Sequence, residues 1–188
     1  MKNLFILFVL CCSAFCSFAQ EHLSFKGISI DGSMTSFCKK LTDKGFVQMG
    51  HENNFSSFIG DFTGRPAHVG VFSTDDGKNV HSVVVAFDPS DEWKTLLSTY
   101  EYFKDLYTRK YGEPYASREH NPSSDKDNIT IMTELSLGRI TYETSWDAPG
   151  GIIGLSISKD EYYNGLVIIK YRDAQNVVAK MQKDLDDI

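Results

Sequence analysis

The chain has 188 residues, 41% of them hydrophobic, 13% aromatic and 23% charged, with five prolines and a formal net charge of −6. That is a globular composition on a chain long enough to bury a core, and it excludes collagen-like, coiled-coil and wholly disordered architectures. The acidic balance, with no basic cluster, excludes nucleic-acid binding, whose affinity comes largely from neutralising phosphates.

Residues 1–19 read as a signal peptide. Lys2 supplies the positive start, Leu4 to Leu10 form an unbroken apolar run, and Ser17-Phe18-Ala19 is the small-x-small exit that a signal peptidase accepts. The run is shorter than the roughly 20 residues of a membrane span, and no later stretch approaches that length without charges. Lipid attachment fits poorly, because Phe15 before Cys16 and Leu10 before Cys11 are bulky where a small residue is required. Cleavage after Ala19 leaves Gln20 as the new N-terminus and removes Cys11, Cys12 and Cys16. Cys38 then stands alone, so no intramolecular disulfide is expected in the mature chain. The segment resembles export signals of Gram-negative bacteria, which points to the periplasm or the exterior, with no transmembrane segment after processing.

The mature chain opens with His22 to Ile30, a short strand or bulged pair broken at Gly27. Asp31-Gly32-Ser33 offers a helix N-cap, and Met34, Phe37, Cys38 and Leu41 follow at helical spacing until Gly45. The period then switches to two. Phe46 to Met49, Phe55 to Phe62, Ala67 to Thr74 and Asn79 to Phe87 are strand candidates, and Asp75-Asp76-Gly77-Lys78 is a strong hairpin signal. Ser90 is the expected cap of a second helix whose apolar face runs from Trp93 through Tyr100 and Phe103 to Tyr111 before Gly112 and Pro114. Glu113 to Asn128 reads as a long polar loop. A short helix over Ile129 to Leu137 is followed by strands over Arg139 to Trp146, Ile152 to Lys159 and Leu166 to Asp173. Ala174, Val177, Val178, Met181 and Leu185 mark a C-terminal amphipathic helix capped by Asp173.

Helix then strands occurs twice, over 22–88 and 89–188, so the expected class is α+β. One domain is built from two tandem helix-plus-antiparallel-sheet units with the helices on one face. The segments Phe25-Lys26-Gly27-Ile28-Ser29-Ile30-Asp31-Gly32 and Leu106-Tyr107-Thr108-Arg109-Lys110-Tyr111-Gly112-Glu113-Pro114 carry a resemblance to small exported bacterial proteins of the β-lactamase-inhibitor-protein-like fold. The resemblance implies a sheet face available for binding another protein. It transfers no contact residue.

Every catalytic pattern tested falls short. Cys38 lies on the apolar stripe between Phe37 and Leu41, where a free cysteine behaves as a small hydrophobe. His51-Glu52-Asn53-Asn54-Phe55 begins like a zincin helix but has Phe55 where the second histidine belongs. His68 and His81, on adjacent strands, are several residues apart and lack a third ligand. Gly154-Leu155-Ser156-Ile157-Ser158 lacks the second glycine of a nucleophile elbow and lies inside an alternating strand. Asp125-Lys126-Asp127-Asn128 lacks the glycine and terminal glutamate of a calcium loop. No metal or other cofactor is expected.

What remains is surface. The Ala67–Thr74 and Asn79–Phe87 hairpin is apolar on both faces, which fits a strand pair covered on both sides and also fits an exposed patch; the covered reading is favoured. Pairing of Thr74 with Asn79 would set His81 opposite Phe72 and His68 opposite Val85. Arg139, Glu143, Lys170 and Arg172 take the outward parity in the second half. Tyr162 and Tyr163, in the turn before Gly165, are candidate binding anchors, and His120 a further candidate in the polar loop. The expected function is a non-catalytic binding protein for an unknown protein or envelope component. The alternatives are an exported hydrolase with dispersed residues, which would gather His120 with acids of the Glu113 to Asn128 loop, and a carrier of a small apolar ligand.

Overall fold

The computed structural model describes residues 21–186 and 188; the expected signal peptide and its cleavage site at Ala19 and Gln20 lie outside the described residues. The fold is α+β, with four helices and a large antiparallel sheet. A two-stranded ribbon, β1 (Ser24–Phe25) and β2 (Ile28–Ser29), precedes α1 (Met34–Asp43). Then come β3 (Val47–His51), β4 (Phe55–Phe62), β5 (Arg65–Ser73) and β6 (Val80–Phe87). After α2 (Trp93–Tyr111) follow β7 (Ala116–His120), α3 (Asn128–Ser136), β8 (Thr141–Ala148), β9 (Gly151–Lys159), β10 (Gly165–Asp173) and α4 (Ala174–Asp186). Eight strands form one sheet in the order β3-β4-β5-β6-β10-β9-β8-β7, and every pairing is antiparallel. No helix among the described residues is long and apolar enough to cross a membrane.

Local chemistry accounts for the element ends. The Ser33 hydroxyl accepts the Ser36 N–H at 3.3 Å and starts α1, whose buried stripe is Met34, Phe37, Cys38 and Leu41. Gly45 takes φ +90° after α1, and the Phe46 N–H returns to the Leu41 carbonyl at 3.2 Å, burying the ring. The Lys26–Gly27 turn needs positive φ at both residues, which costs Gly27 nothing and leaves Lys26 at +52°.

Three local expectations are corrected. Ser90 does not cap the first free N–H of α2. Its hydroxyl takes the Glu92 N–H at 3.1 Å, while the Asn128 side chain takes the Trp93 N–H at 2.8 Å and donates to the Asp91 carbonyl at 2.8 Å. The long polar loop over Glu113 to Asn128 contains β7, an edge strand paired with β8, and every β7 residue is exposed. The β5–β6 register differs as well. Thr74 does bond Asn79, but a bulge between Phe72 and Ser73 sets Phe72 opposite Ser82 and His68 opposite Ala86.

The core lies between helices and sheet. Tyr100, Phe103 and Tyr107 of α2 meet Trp146, Ile153, Leu155 and Ile169 of the strands, and Phe25, Phe62 and Phe87 join them. Aromatic contacts run through it: Phe87 stacks on Phe103 at 4.8 Å, Phe25 on Phe62 at 5.7 Å, and Phe25 meets Tyr171 edge-on at 5.2 Å. By contrast, the apolar stripe of α4 is mostly outside the core, with Val178, Met181 and Leu185 more than half exposed. Gly165 is set by this packing, because a Cβ there would overlap the Leu96 side chain and come within 3.0 Å of Leu135. Gly165→Ala is expected to lower stability by about 1–3 kcal/mol, as overpacking does. Gly154→Ala, whose Cβ would meet Ser145 at an ordinary 3.7 Å, should stay within about 0.5 kcal/mol of the parent. Urea denaturation of the two variants checks both values.

Candidate functional site

Strand alternation gives the sheet two unlike faces. Ala67, Val69 and Val71 of β5, Val83, Val85 and Phe87 of β6, and Val167, Ile169 and Tyr171 of β10 are buried. Their neighbours of opposite parity, Phe72, Val84, Ala86 and Ile168, keep part of their surface in solvent. Among the described residues, then, the hairpin is not covered on both sides, contrary to the favoured expectation. Its outward side chains stay open because the packed core engages the other parity.

In the first half this outward face is apolar. Val47 and Met49 of β3 are 59% and 62% exposed, and Ile59 of β4 is 37% exposed. Phe55 and Phe72 stand directly opposite each other on β4 and β5, with ring centroids 5.0 Å apart. Both rings lean over Gly70, where a Cβ would sit 3.0 Å from Phe55 and 3.2 Å from Phe72. The missing side chain leaves a groove of about 370 Å³ lined by Met49, Phe55, Ile59, Phe72, Val84 and Ala86. A second groove of about 470 Å³ adjoins it at Ile59 and His68 and reaches Val47, Pro66 and Asp88. In the second half the same face is polar, with Glu143, Lys170 and Arg172 exposed as their parity predicts.

The expected anchors lie elsewhere. Tyr162 and Tyr163 project from the β9–β10 turn at 76% and 63% exposure. The Asp160 carboxylate builds that turn by accepting the Tyr162 and Asn164 N–H groups at 2.8 and 2.9 Å, and the Lys159 amine lies 5.1 Å over the Tyr163 ring. His120 ends the edge strand β7 opposite Thr141, exposed, with β8 between it and β9. The three residues share an end of the sheet without forming one site, and none lines the apolar grooves.

Polar clusters also appear that the linear sequence hides. Tyr100, Ser117, Glu119 and Thr144 meet across α2, β7 and β8. The Tyr100 hydroxyl lies 2.5 Å from Thr144 and 3.1 Å from Glu119, and the Lys104 amine donates to Glu119 at 2.6 Å. Partial burial alone would raise the Glu119 pKa, but the hydrogen bonds from Lys104 and Tyr100 outweigh it and hold the carboxyl below its ordinary value. On the other side of the molecule, His51 Nδ1 lies 2.6 Å from the hydroxyl of buried Ser56, its register partner across the β3–β4 hairpin. Cys38 is free and buried, and desolvation raises its thiol pKa, so it is a poor nucleophile. His68 pairs with Asp88 at 3.5 Å on the surface, and His81 sits half-buried on Ser82. Asp127, from the calcium-like stretch, is the cap of α3, accepting the Thr130 N–H at 3.0 Å. Among the described residues no group of three His, Cys, Asp or Glu side chains is placed to hold a metal ion.

A β3–β4 hairpin that turns at Asn53-Asn54 sets Glu52 opposite Phe55 and so pairs His51 with Ser56. The Glu119 cluster gives no such signal, since its members lie far apart along the chain and meet only after β7 is recognised as a strand. Comparison with protein-family models, with curated proteins and with solved structures finds no match to this chain.

Glu119 carries a pH prediction. A carboxyl whose folded pKa lies below its unfolded value, near 4.5, contributes stability that is fully present above that value and lost as pH falls through the folded one. Glu119→Gln should therefore weaken the acid dependence of stability below pH 4.5. Thermal unfolding of parent and variant on descending pH would show the parent losing more.

Proposed function

We propose that this chain is an exported, non-catalytic binding protein of the bacterial envelope, which takes an apolar segment of a partner protein onto the open face of β3–β6. The reading includes the export signal ending at Ala19. It also includes a build of two tandem helix-plus-antiparallel-sheet units with the helices behind the sheet, as the β-lactamase-inhibitor-protein-like resemblance implies.

One observation carries it: Val47, Met49, Phe55, Ile59 and Phe72 leave apolar surface in solvent side by side across three adjacent strands. Single exposed hydrophobic residues are ordinary, but contiguous ones mark interaction surfaces. The groove over Gly70 adds the concavity in which a buried anchor side chain gains most. Support for a non-catalytic role comes from the polar residues themselves. Asp127, Asn128 and Asp160 are engaged in caps and turns, and Ser56 is buried beneath His51. Tyr162 and Tyr163 stand as a second contact on the same protein, beyond the end of the grooves.

The test is capture from a native envelope extract on the immobilised full chain, followed by affinity measurement with the purified partner. A Met49→Asp/Ile59→Asp variant alters two exposed positions and should unfold at the parent temperature. It should weaken binding by tenfold or more, about 1.4 kcal/mol. Slowed amide exchange over β3–β6 in the complex is the matching structural readout. Undiminished binding by this variant would refute the assigned face, and loss in a Tyr162→Ser/Tyr163→Ser variant alone would move the contact to the β9–β10 turn.

A further inference from the structure

A cleft of about 660 Å³ opens between the N-terminal segment that carries β1 and the C-terminal half of α2. Its volume falls within the roughly 300–1,000 Å³ of sites that enclose small organic ligands. It is independent of the open sheet face, since its strand residues Phe62 and Tyr171 have the buried parity.

The walls are apolar, formed by Phe62, Phe103 and Leu106, while Tyr107 and Tyr171 line the deep end at 7% and 5% exposure. The two phenol oxygens are hydrogen-bonded to each other. Two hydroxyls carry two protons, and the bond between them uses one. Neither oxygen has another hydrogen-bond partner among the described residues. The second phenolic proton has no acceptor among the described residues and is free for one in the cleft.

The mouth has a different character. Lys26 and Lys110 both line it, and neither amine is paired with a carboxylate among the described residues. The Lys26 amine rests 6.0 Å from the Phe62 ring and donates to the Asp61 carbonyl at 3.3 Å, and Lys110 lies 4.9 Å over Tyr111. Glu21 is the one carboxylate on the lining. Two amines against one carboxylate make a cationic rim on a chain of net charge −6.

We propose that this cleft binds a small amphiphilic organic anion. Its carboxylate meets Lys26 and Lys110 at the mouth, its apolar body lies between Phe62, Phe103 and Leu106, and an uncharged oxygen accepts the free proton of the Tyr107–Tyr171 pair. A carboxylate belongs at the rim, because burying it at the deep end without a cation would be unfavourable.

The experiment is displacement of the fluorescent anion 1-anilinonaphthalene-8-sulfonate from the full chain by 10-hydroxydecanoate, decanoate, decanol and decylamine. The expected order is 10-hydroxydecanoate first, decanoate next, and decylamine without effect. Lys26→Gln/Lys110→Gln changes only the rim and should raise the Kd for 10-hydroxydecanoate about tenfold while leaving that for decanol unchanged. Tyr107→Phe/Tyr171→Phe should abolish the preference for 10-hydroxydecanoate over decanoate, with circular dichroism confirming the fold. Equal displacement by decylamine, an unchanged Kd in the lysine variant, or no displacement by 10-hydroxydecanoate would each overturn the proposal.

Discussion

The pairing of β6 with β10 holds the molecule together. It joins the last strand of the first meander to the last strand of the second, from Ser82–Arg172 to Ala86–Ile168, and makes one eight-stranded sheet where there would otherwise be two four-stranded ones. Both strands are central, so the buried side chains of each, Val83 and Val85 on one and Ile169 and Tyr171 on the other, must share a parity. A slip of one residue at this seam would turn the whole buried set outward. With the seam fixed, α2 can close over β8, β9 and β10 with Tyr100, Phe103 and Tyr107, and the opposite parity is left to the solvent.

A buried carboxylate ties the N-terminal segment to this seam. Asp173, at the end of β10, is fully buried and accepts the Leu23 N–H at 2.8 Å, the Asn176 N–H at 2.9 Å and a contact from His22 Nδ1 at 3.1 Å. One side chain thus caps α4 and anchors the segment leading into β1. Asn176 extends the link by donating to the carbonyls of Ile30 and Val80, each at 3.0 Å. A carboxylate with three hydrogen-bonding partners is tolerated in a core where an unpaired one is not. The cleft beside Tyr171 depends on this anchor, because residues 21–24 form one of its walls.

Elements with a strong local signal were legible in the sequence: the α1 stripe, the Asp-Gly hairpin, the long apolar face of α2, the last three strands and the Asp173 cap. What could not be read depends on contacts between distant residues. Asn128 displaces Ser90 at the start of α2 from 35 residues away. β7 carries Ser117, Arg118, Glu119 and His120 with no apolar alternation, because an edge strand with every residue exposed has no face to bury. The bulge at Ser73 moves His68 and His81 by a single residue, which alternation alone does not record. The open face was equally hidden, since an apolar strand reads the same whether or not something covers its second side. Tyr162 and Tyr163 were found exposed where turn chemistry put them, but the grooves form on strands that looked like plain core.

The two edges of the sheet show how unusual the open face is. The β7 edge carries Arg118, Glu119 and His120, the kind of charge that discourages another strand from pairing. The β3 edge has a bulge between Gln48 and Gly50, but its exposed side chains include Val47 and Met49, with no lysine, proline or acid among its five residues. An apolar edge beside an apolar groove exposes a chain to unwanted association, and polar substitutions at Val47, Met49 or Ile59 would disturb no core contact. The sequence keeps these positions apolar while placing Glu143, Lys170 and Arg172 on the same face of the other half. Core packing does not account for that contrast. Coverage of the first half by the proposed partner would account for it, and for the unfilled groove over Gly70.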